Sequence, residues 1–134
     1  MAQTHPLNPL VQHRGQPSTH DLPLALTVFD ALKNRKTTKI PVYDKSAFSG
    51  QGDRADASTW EEVNKPGEAP IEVVVFEGWC VGFRPLDDET LEAKWADAKK
   101  AAEGEEYQGQ LARHRLEDLV FVNEALKGYN ELTE

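Results

Sequence analysis

Apolar residues recur at helical spacing in the first third of the chain. Their intervals of three or four residues predict a helix from about Leu22 to Asn34. The apolar stripe consists of Leu22, Leu26, Phe29 and Leu32. Asp21 suits the N-cap position, and Pro23 is tolerated in a first turn because its missing N–H is not needed there.

The same spacing occurs twice in the second half of the chain. A helical stretch opens near Asp87, where acidic residues favour a helix N-terminus, and extends to about Ala98. A further stretch predicts a helix over Leu116–Leu126, with Gly128 as its C-terminal stop.

Two segments have the composition of β-strands. Thr37–Tyr43 is rich in β-branched residues and predicts a short strand that ends near Pro41. Ile71–Phe76 is almost continuously apolar, as in a strand that helices cover on both faces. Between them, residues 44–70 show no periodic pattern and predict one long loop, a kind of segment that is usually functional or disordered.

The predicted order of helix, strand, loop, strand, helix and helix is typical of an α/β layer fold. A length of 134 residues, of which 39% are hydrophobic and 28% charged, fits one globular domain or part of a larger one. Two strands do not make a stable parallel sheet. The pattern therefore indicates a piece of an α/β fold.

Charge and cysteine content exclude several classes of protein. The formal net charge is −8, and the acidic balance argues against a nucleic-acid surface, which needs clustered cations. Cys80 is the single cysteine, so an intrachain disulfide framework is impossible. No apolar run is long enough to span a membrane, and the N-terminus lacks the features of a secretion signal. We expect a cytoplasmic protein, and the sequence identifies no partner protein.

Glu77 is the first candidate for chemistry. A carboxylate just past the C-terminal end of a buried parallel strand faces the crevice where α/β sheets bind ligands. In phosphoryl-transfer enzymes an acid at such a place helps to hold Mg²⁺. The alternative is that Glu77 only caps a turn, with Gly78 present for its backbone conformation.

The second candidate is Pro41–Ser46 followed by Gly50–Asp56, where a strand end meets a glycine-rich loop. It combines glycines with two cations, Lys45 and Arg54, and it also carries the carboxylates Asp44, Asp53 and Asp56. Arg54 could bind a carboxylate or phosphate in a bidentate way, and Lys45 could add a point charge. The alternative is a solvated loop whose charges pair with one another at little energetic gain.

The third candidate lies before the first helix. Arg14 and Gly15 precede a capped helix start at Asp21, and helix N-termini attract anions. Ordinary capping by Thr19 or Asp21 is the alternative. The histidines show no metal-ligand spacing, so we predict no metal site built from them.

One glycine pattern is misleading. Gly104 and Gly109 have the spacing of a phosphate-binding P-loop, but Gln110 and Leu111 stand where the Lys and Ser/Thr that contact phosphate and Mg²⁺ are required. We therefore expect a solvated helix or loop there.

The three candidates, taken in order, resemble the D-glycerate 3-kinase family and related ATP-dependent small-molecule kinases. The resemblance extends over roughly residues 8–130. The matching stretches are Asn8–Leu10, Arg14–Gly15, Thr19–Asp21, Pro41–Ser46, Gly50–Asp56 with Trp60, Val75–Trp79 and Gly82–Phe83. The central loop and the Phe-Glu-Gly-Trp segment are specific, whereas Pro-x-Tyr-Asp alone also occurs in uridine kinases and phosphoribulokinases.

The resemblance implies a three-layer P-loop NTPase-type fold with a central parallel sheet. It implies ATP with Mg²⁺ as the phosphoryl donor and D-glycerate as the small-molecule acceptor, which would give 3-phosphoglycerate. By analogy, Glu77 is the catalytic acid near Mg²⁺, bound directly or through water. The residues that line the acceptor side are Asp44, Lys45, Asp53, Arg54 and Asp56, with Arg14 and Asp21 nearby. Asp44 is also a catalytic candidate. We expect Glu77 and Arg54 to face one cavity.

The sequence departs from that family in one respect. The 134 residues contain no Gly-x-x-x-x-Gly-Lys-Ser/Thr sequence. We therefore interpret residues 1–134 as an internal fragment of one kinase domain, incomplete at both ends and inactive alone, with residues 44–70 as its acceptor-side loop. The alternatives are a non-catalytic binding module derived from such a kinase, or a kinase for a nucleoside, a sugar phosphate or pantothenate.

Overall fold

The computed structural model describes residues 5–104 and 107–133. The first residues of the chain, used above to exclude a secretion signal, lie largely outside these ranges, as do two residues of the segment with misleading glycine spacing. The chain divides into two compact units. The first unit comprises Met1–His20 and Trp79–Glu134, and the second comprises Asp21–Gly78.

Helices and short strands are distributed differently between these units. The helices are α1 (Leu22–Lys33), α2 (Asp88–Ala101), α3 (Leu116–Ala125) and α4 (Lys127–Thr133). The strands, all in the second unit, are β1 (Thr38–Ile40), β2 (Tyr43–Asp44), β3 (Asp53–Arg54) and β4 (Glu61–Val63). None of the helices formed by the described residues combines the length and the apolar character needed to cross a bilayer.

Helices α1 and α2 begin where the sequence predicts, and α1 has the predicted cap at Asp21. The Asp21 carboxylate accepts a hydrogen bond from the Leu24 backbone N–H at 3.0 Å, and α1 begins at the next residue. Asp87 accepts from the Thr90 N–H at 2.7 Å in the same way. Both helix predictions are confirmed, because an Asp at the N-cap satisfies a backbone donor that the helix leaves unpaired.

The predicted stop at Gly128 is wrong. Helix α3 ends at Ala125, and Gly128 lies inside the next helix, α4. Leu126 keeps right-handed helical backbone angles, and its N–H bonds back to the carbonyls of Val122 and Asn123. The chain thus turns into α4 without the left-handed residue that a terminal glycine would supply.

Polar side chains connect the segments of the first unit. The Asn8 side chain donates to the Asp118 carbonyl at 3.3 Å, and the Arg115 guanidinium donates twice to the Asp118 carboxylate, at 2.8 Å each. These hydrogen bonds from Arg115 hold the pKa of Asp118 below its usual range. Asn123 on α3 accepts from the Leu86 N–H and donates to the Leu86 carbonyl, both at 2.8 Å. The N-terminal segment and the approach to α2 are therefore both tied to α3.

The second unit contains two nested antiparallel pairs. Strand β1 pairs with β4, and β2 pairs with β3 between them. Residues 44–70, predicted as one long loop, thus contain two strands and two short 3-10 turns. The prediction failed because strands of two or three mostly exposed residues leave no alternation of apolar and polar positions to detect.

The strand predicted over Ile71–Phe76 is not formed. The segment has no ladder partner among the described residues, which contain no parallel strand pair. Val73 and Val75 are 79% and 86% exposed, while Phe76 packs edge to face on Phe29 with ring centroids 4.8 Å apart. A buried parallel strand needs a neighbour on each side, and apolar composition cannot supply the backbone donors and acceptors of those neighbours.

We expect Asn123→Ala to lower the free energy of unfolding by about 1–2 kcal/mol, because it leaves both polar groups of the Leu86 backbone without their partner. Chemical denaturation measures this loss. Glu92→Ala, at an exposed position of α2, is the control and should stay within about 0.5 kcal/mol of the parent. Equal losses for the two variants would contradict the structural role of Asn123.

Candidate functional site

The second unit contains a largely apolar cleft beside α1, here called the α1 cleft. Its volume is about 490 Å³. The walls come from the inner side of α1, from Ile40–Tyr43 and from Ile71, Val73 and Val74. Asp21 and Arg54 are its charged lining residues. A mostly apolar pocket with a few polar groups is the usual form of a small-molecule site.

The two charged residues of the cleft bind each other. The Arg54 guanidinium donates from Nη2 to Asp21 Oδ2 at 2.6 Å, while Oδ1 of the same carboxylate caps α1. The hydrogen bond from the Leu24 N–H, followed by that from Arg54, holds the pKa of Asp21 below its usual range. The side chains of Arg54 and Asp21 are 43% and 39% exposed, so water screens their attraction and the pair contributes little to overall stability.

The register of β2 and β3 sorts the candidate residues onto two faces. Tyr43 lies opposite Arg54, and Asp44 lies opposite Asp53. Directly opposed residues of an antiparallel pair share a face, and successive residues alternate between faces. Tyr43 and Arg54 accordingly line the α1 cleft, whereas Asp44 and Asp53 are not among its lining residues. The structure thus brings Arg54 together with Asp21 rather than with the neighbouring acids.

Asp44 and Asp56 are engaged in local turns. Asp44 accepts from the Ser46 hydroxyl at 2.6 Å and from the Ser46 N–H at 2.8 Å. Asp56 caps the 3-10 turn Ala57–Thr59 by accepting from the Ser58 N–H at 2.8 Å. The serine hydrogen bonds are the main reason why the pKa of each carboxyl lies below its usual range.

The remaining predicted residues are exposed. Lys45 directly follows β2, Glu77 follows the valine-rich segment, and Arg14 is in the first unit beside Gly15. Glu77 is not among the residues that line the α1 cleft, so the expectation that it shares this cavity with Arg54 is wrong. That expectation depended on Ile71–Phe76 forming a parallel strand that directs the next side chain into a crevice.

Sequence reasoning missed Tyr43 as a residue of the cleft. Its hydroxyl donates to the Gln51 carbonyl at 3.3 Å, and its ring lies over Gly52. A Cβ atom on Gly52 would be 2.5 Å from the ring carbon Cε1, and the φ of Gly52 is +81°. The available signal was the Gly-x-Gly spacing of Gly50 and Gly52. Both glycines have positive φ, and the missing side chain of Gly52 leaves room for the Tyr43 ring.

The described residues do not by themselves fit a magnesium–nucleotide site. Among residues 5–104 and 107–133, no three His, Cys, Asp or Glu side chains are grouped so that they could hold a metal ion. Glu77 alone would offer one carboxylate, and the sequence lacks the phosphate-binding loop that such a site requires.

We predict that Gly52→Ala destabilises the protein more than Gly50→Ala does. Both glycines have positive φ, which costs a non-glycine residue about 1–2 kcal/mol, but only Gly52 lies against the Tyr43 ring. The steric contact should add a smaller cost, because the exposed Tyr43 ring can move aside. Thermal unfolding gives the difference, and near-ultraviolet circular dichroism should show the displaced tyrosine. Equal effects would contradict the packing of Tyr43 on Gly52.

The chain is similar in sequence to kinases. No family model matches the chain. The chain is 43% identical over 97 residues to the chloroplastic D-glycerate 3-kinase of Arabidopsis thaliana, a match that covers 69% of this chain and 20% of that protein. It is 36% identical over 85 residues to the probable ATP-dependent kinase TDA10 of Saccharomyces cerevisiae, covering 59% of this chain and 27% of that protein. The chain thus spans only about a fifth to a quarter of these relatives.

A solved structure matches almost the whole chain. The D-glycerate 3-kinase of Cryptococcus neoformans superposes with a TM-score of 0.79 and 36% identity, over 98% of this chain and 43% of that protein. The resemblance inferred from the sequence is therefore confirmed. The fold class is confirmed as part of a P-loop kinase fold, although the described residues form no parallel pair of it. The chain is a relative of one segment of D-glycerate 3-kinase and of the ATP-dependent kinases related to it.

Proposed function

We propose that this chain forms the acceptor-binding part of an ATP-dependent kinase that phosphorylates a hydroxyl group of D-glycerate. The observation that carries the proposal is the match to a D-glycerate 3-kinase over 98% of the chain. The α1 cleft supports it, because a guanidinium at an apolar cleft is suited to a small carboxylic acid.

Arg54 is the residue we propose to bind the carboxylate of the acceptor. A guanidinium carries five N–H donors in a planar fork, and in the described part of the chain the Arg54 guanidinium has one bonded partner, Asp21. Donors therefore remain for a second carboxylate.

Asp44 as a catalytic residue stays a proposal by analogy, because it lies on the other face of the β2–β3 pair from Arg54 and does not line the α1 cleft. The Ser46 hydrogen bonds that lower the pKa of Asp44 favour its ionised form, and an anion of such low basicity is a weak proton acceptor. Glu77 near Mg²⁺, and Lys45, Asp53, Asp56 and Arg14 on the acceptor side, also stay proposals by analogy.

The phosphoryl donor is proposed to be ATP with Mg²⁺, since a relative is a probable ATP-dependent kinase. The 134 residues hold no P-loop sequence, so we propose that the donor site is completed by residues outside this sequence. The chain alone should then have no measurable kinase activity.

A hybrid enzyme tests the proposal. The segment of the Cryptococcus D-glycerate 3-kinase that matches this chain is replaced by the chain itself, and ATP-dependent phosphorylation of D-glycerate is measured. We expect the hybrid to be active. Arg54→Ala in the hybrid should raise the KM for D-glycerate about 10- to 100-fold, because it removes charge-assisted hydrogen bonds.

Arg113→Ala, at an exposed position of the first unit, is the matched control and should leave that KM unchanged. An unchanged KM in Arg54→Ala would remove Arg54 from the acceptor site. A preference for a nucleoside, a sugar phosphate or pantothenate would replace glycerate as the acceptor. A folded hybrid without activity on any of these would favour the non-catalytic module.

A further inference from the structure

The two oxygens of the Asp21 carboxylate bind different parts of the second unit. Oδ1 accepts from the Leu24 N–H at 3.0 Å and fixes the carboxylate to the first turn of α1. Oδ2 accepts from Arg54 Nη2 at 2.6 Å, from a residue 33 positions away on β3. One side chain therefore connects the start of α1 to the candidate carboxylate ligand.

Arg54 needs such a partner to have a defined position. It ends a two-residue strand, its side chain is 43% exposed, and a free arginine side chain has about 2 kcal/mol of rotamer entropy to lose. Asp21 has a short side chain with few rotamers and is held by the helix cap. The bond between them therefore restricts Arg54 far more than it restricts Asp21.

We infer that Asp21 is a positioning residue, which binds no acceptor itself but holds the Arg54 guanidinium at the α1 cleft so that its remaining donors can bind a carboxylate. This inference rests on the proposed function of the chain. It assigns Asp21 a role that differs from direct substrate binding, the role predicted from the sequence.

Electrostatics supports this division between the two residues. Asp21 is an anion whose two oxygens are both engaged, so a second carboxylate placed against it would be repelled. The same anionic acceptor is attracted by Arg54, which can bind it through donors that Asp21 does not use. Asp21 thus acts on an anionic acceptor through Arg54.

Asp21→Asn separates positioning from capping. Asparagine is as good an N-cap as aspartate, so α1 should keep its start, but the amide loses the negative charge that binds Arg54. In the 134-residue chain, NMR of the labelled arginine guanidinium groups measures rotation about the Nε–Cζ bond of Arg54. We expect this rotation to be about fivefold faster in Asp21→Asn than in the parent chain.

In the hybrid enzyme, Asp21→Asn should raise the KM for D-glycerate about 3- to 10-fold with little change in kcat, which is the cost of ordering one long side chain on binding. The effect should disappear when Arg54 is already alanine, since a residue that acts through another cannot act in its absence. Asp30→Asn is the matched control. It removes an exposed carboxylate of α1 that lies 3.6 Å from the Lys36 ammonium group, and it should change neither the KM for D-glycerate nor the rotation of the Arg54 guanidinium.

Unchanged Arg54 rotation in Asp21→Asn would overturn the inference. So would a rise in KM that persists in the Arg54→Ala background, because Asp21 would then contact the acceptor directly. An inactive hybrid would instead overturn the proposed function, and the rotation measurement on the chain would still decide whether Asp21 holds the guanidinium.

Discussion

The organisation of the second unit depends on the capping of α1 by Asp21. This one carboxylate determines where the helix begins, and with its second oxygen it holds a side chain from β3. Because both side chains are exposed, the ion pair contributes little to the free energy of unfolding. Orienting the Arg54 side chain, however, does not require a large free energy. About 1 kcal/mol is enough to favour one arginine rotamer several-fold. The pair therefore matters for where the guanidinium lies and much less for whether the chain folds.

The rest of this unit is held by polar contacts rather than by a deep core. Val28 is its buried apolar residue among those described. The side chain of Asn64 donates to the Lys36 carbonyl at 3.3 Å and accepts from the Ile71 N–H at 2.7 Å, while the Trp60 indole donates to the Ala55 carbonyl at 2.8 Å. Such bonds fix the turns between short strands but bury little apolar surface, which leaves the α1 cleft open.

Local signals in the sequence were sufficient for the starts of α1 and α2, and insufficient for the end of α3, for α4 and for strand pairing. Asp21 and Asp87 identify helix starts because a cap acts within three residues of itself. The pairing of Asp44 with Asp53 has no such signal, since two acids opposite each other follow neither alternation nor charge complementarity. Arg54 was identified by its charge, but its bond to Asp21 and its shared face with Tyr43 depend on register, which only the folded chain specifies.

The valine-rich segment Ile71–Phe76 has the composition of a buried strand, but it is largely exposed and has no strand partner among the described residues. Val73 and Val75 are exposed at 79% and 86%, which is unfavourable for such side chains, and yet Val74 and Ile71 help to form the α1 cleft. A run of this kind becomes stable as a strand when neighbours satisfy its backbone and cover its faces. The chain spans 43% of the D-glycerate 3-kinase that it matches, so a complete kinase of the proposed type would have further segments to provide that cover. Ile71, Val73 and Val74 also line the α1 cleft, so segments that cover the run would border the acceptor site proposed at Arg54.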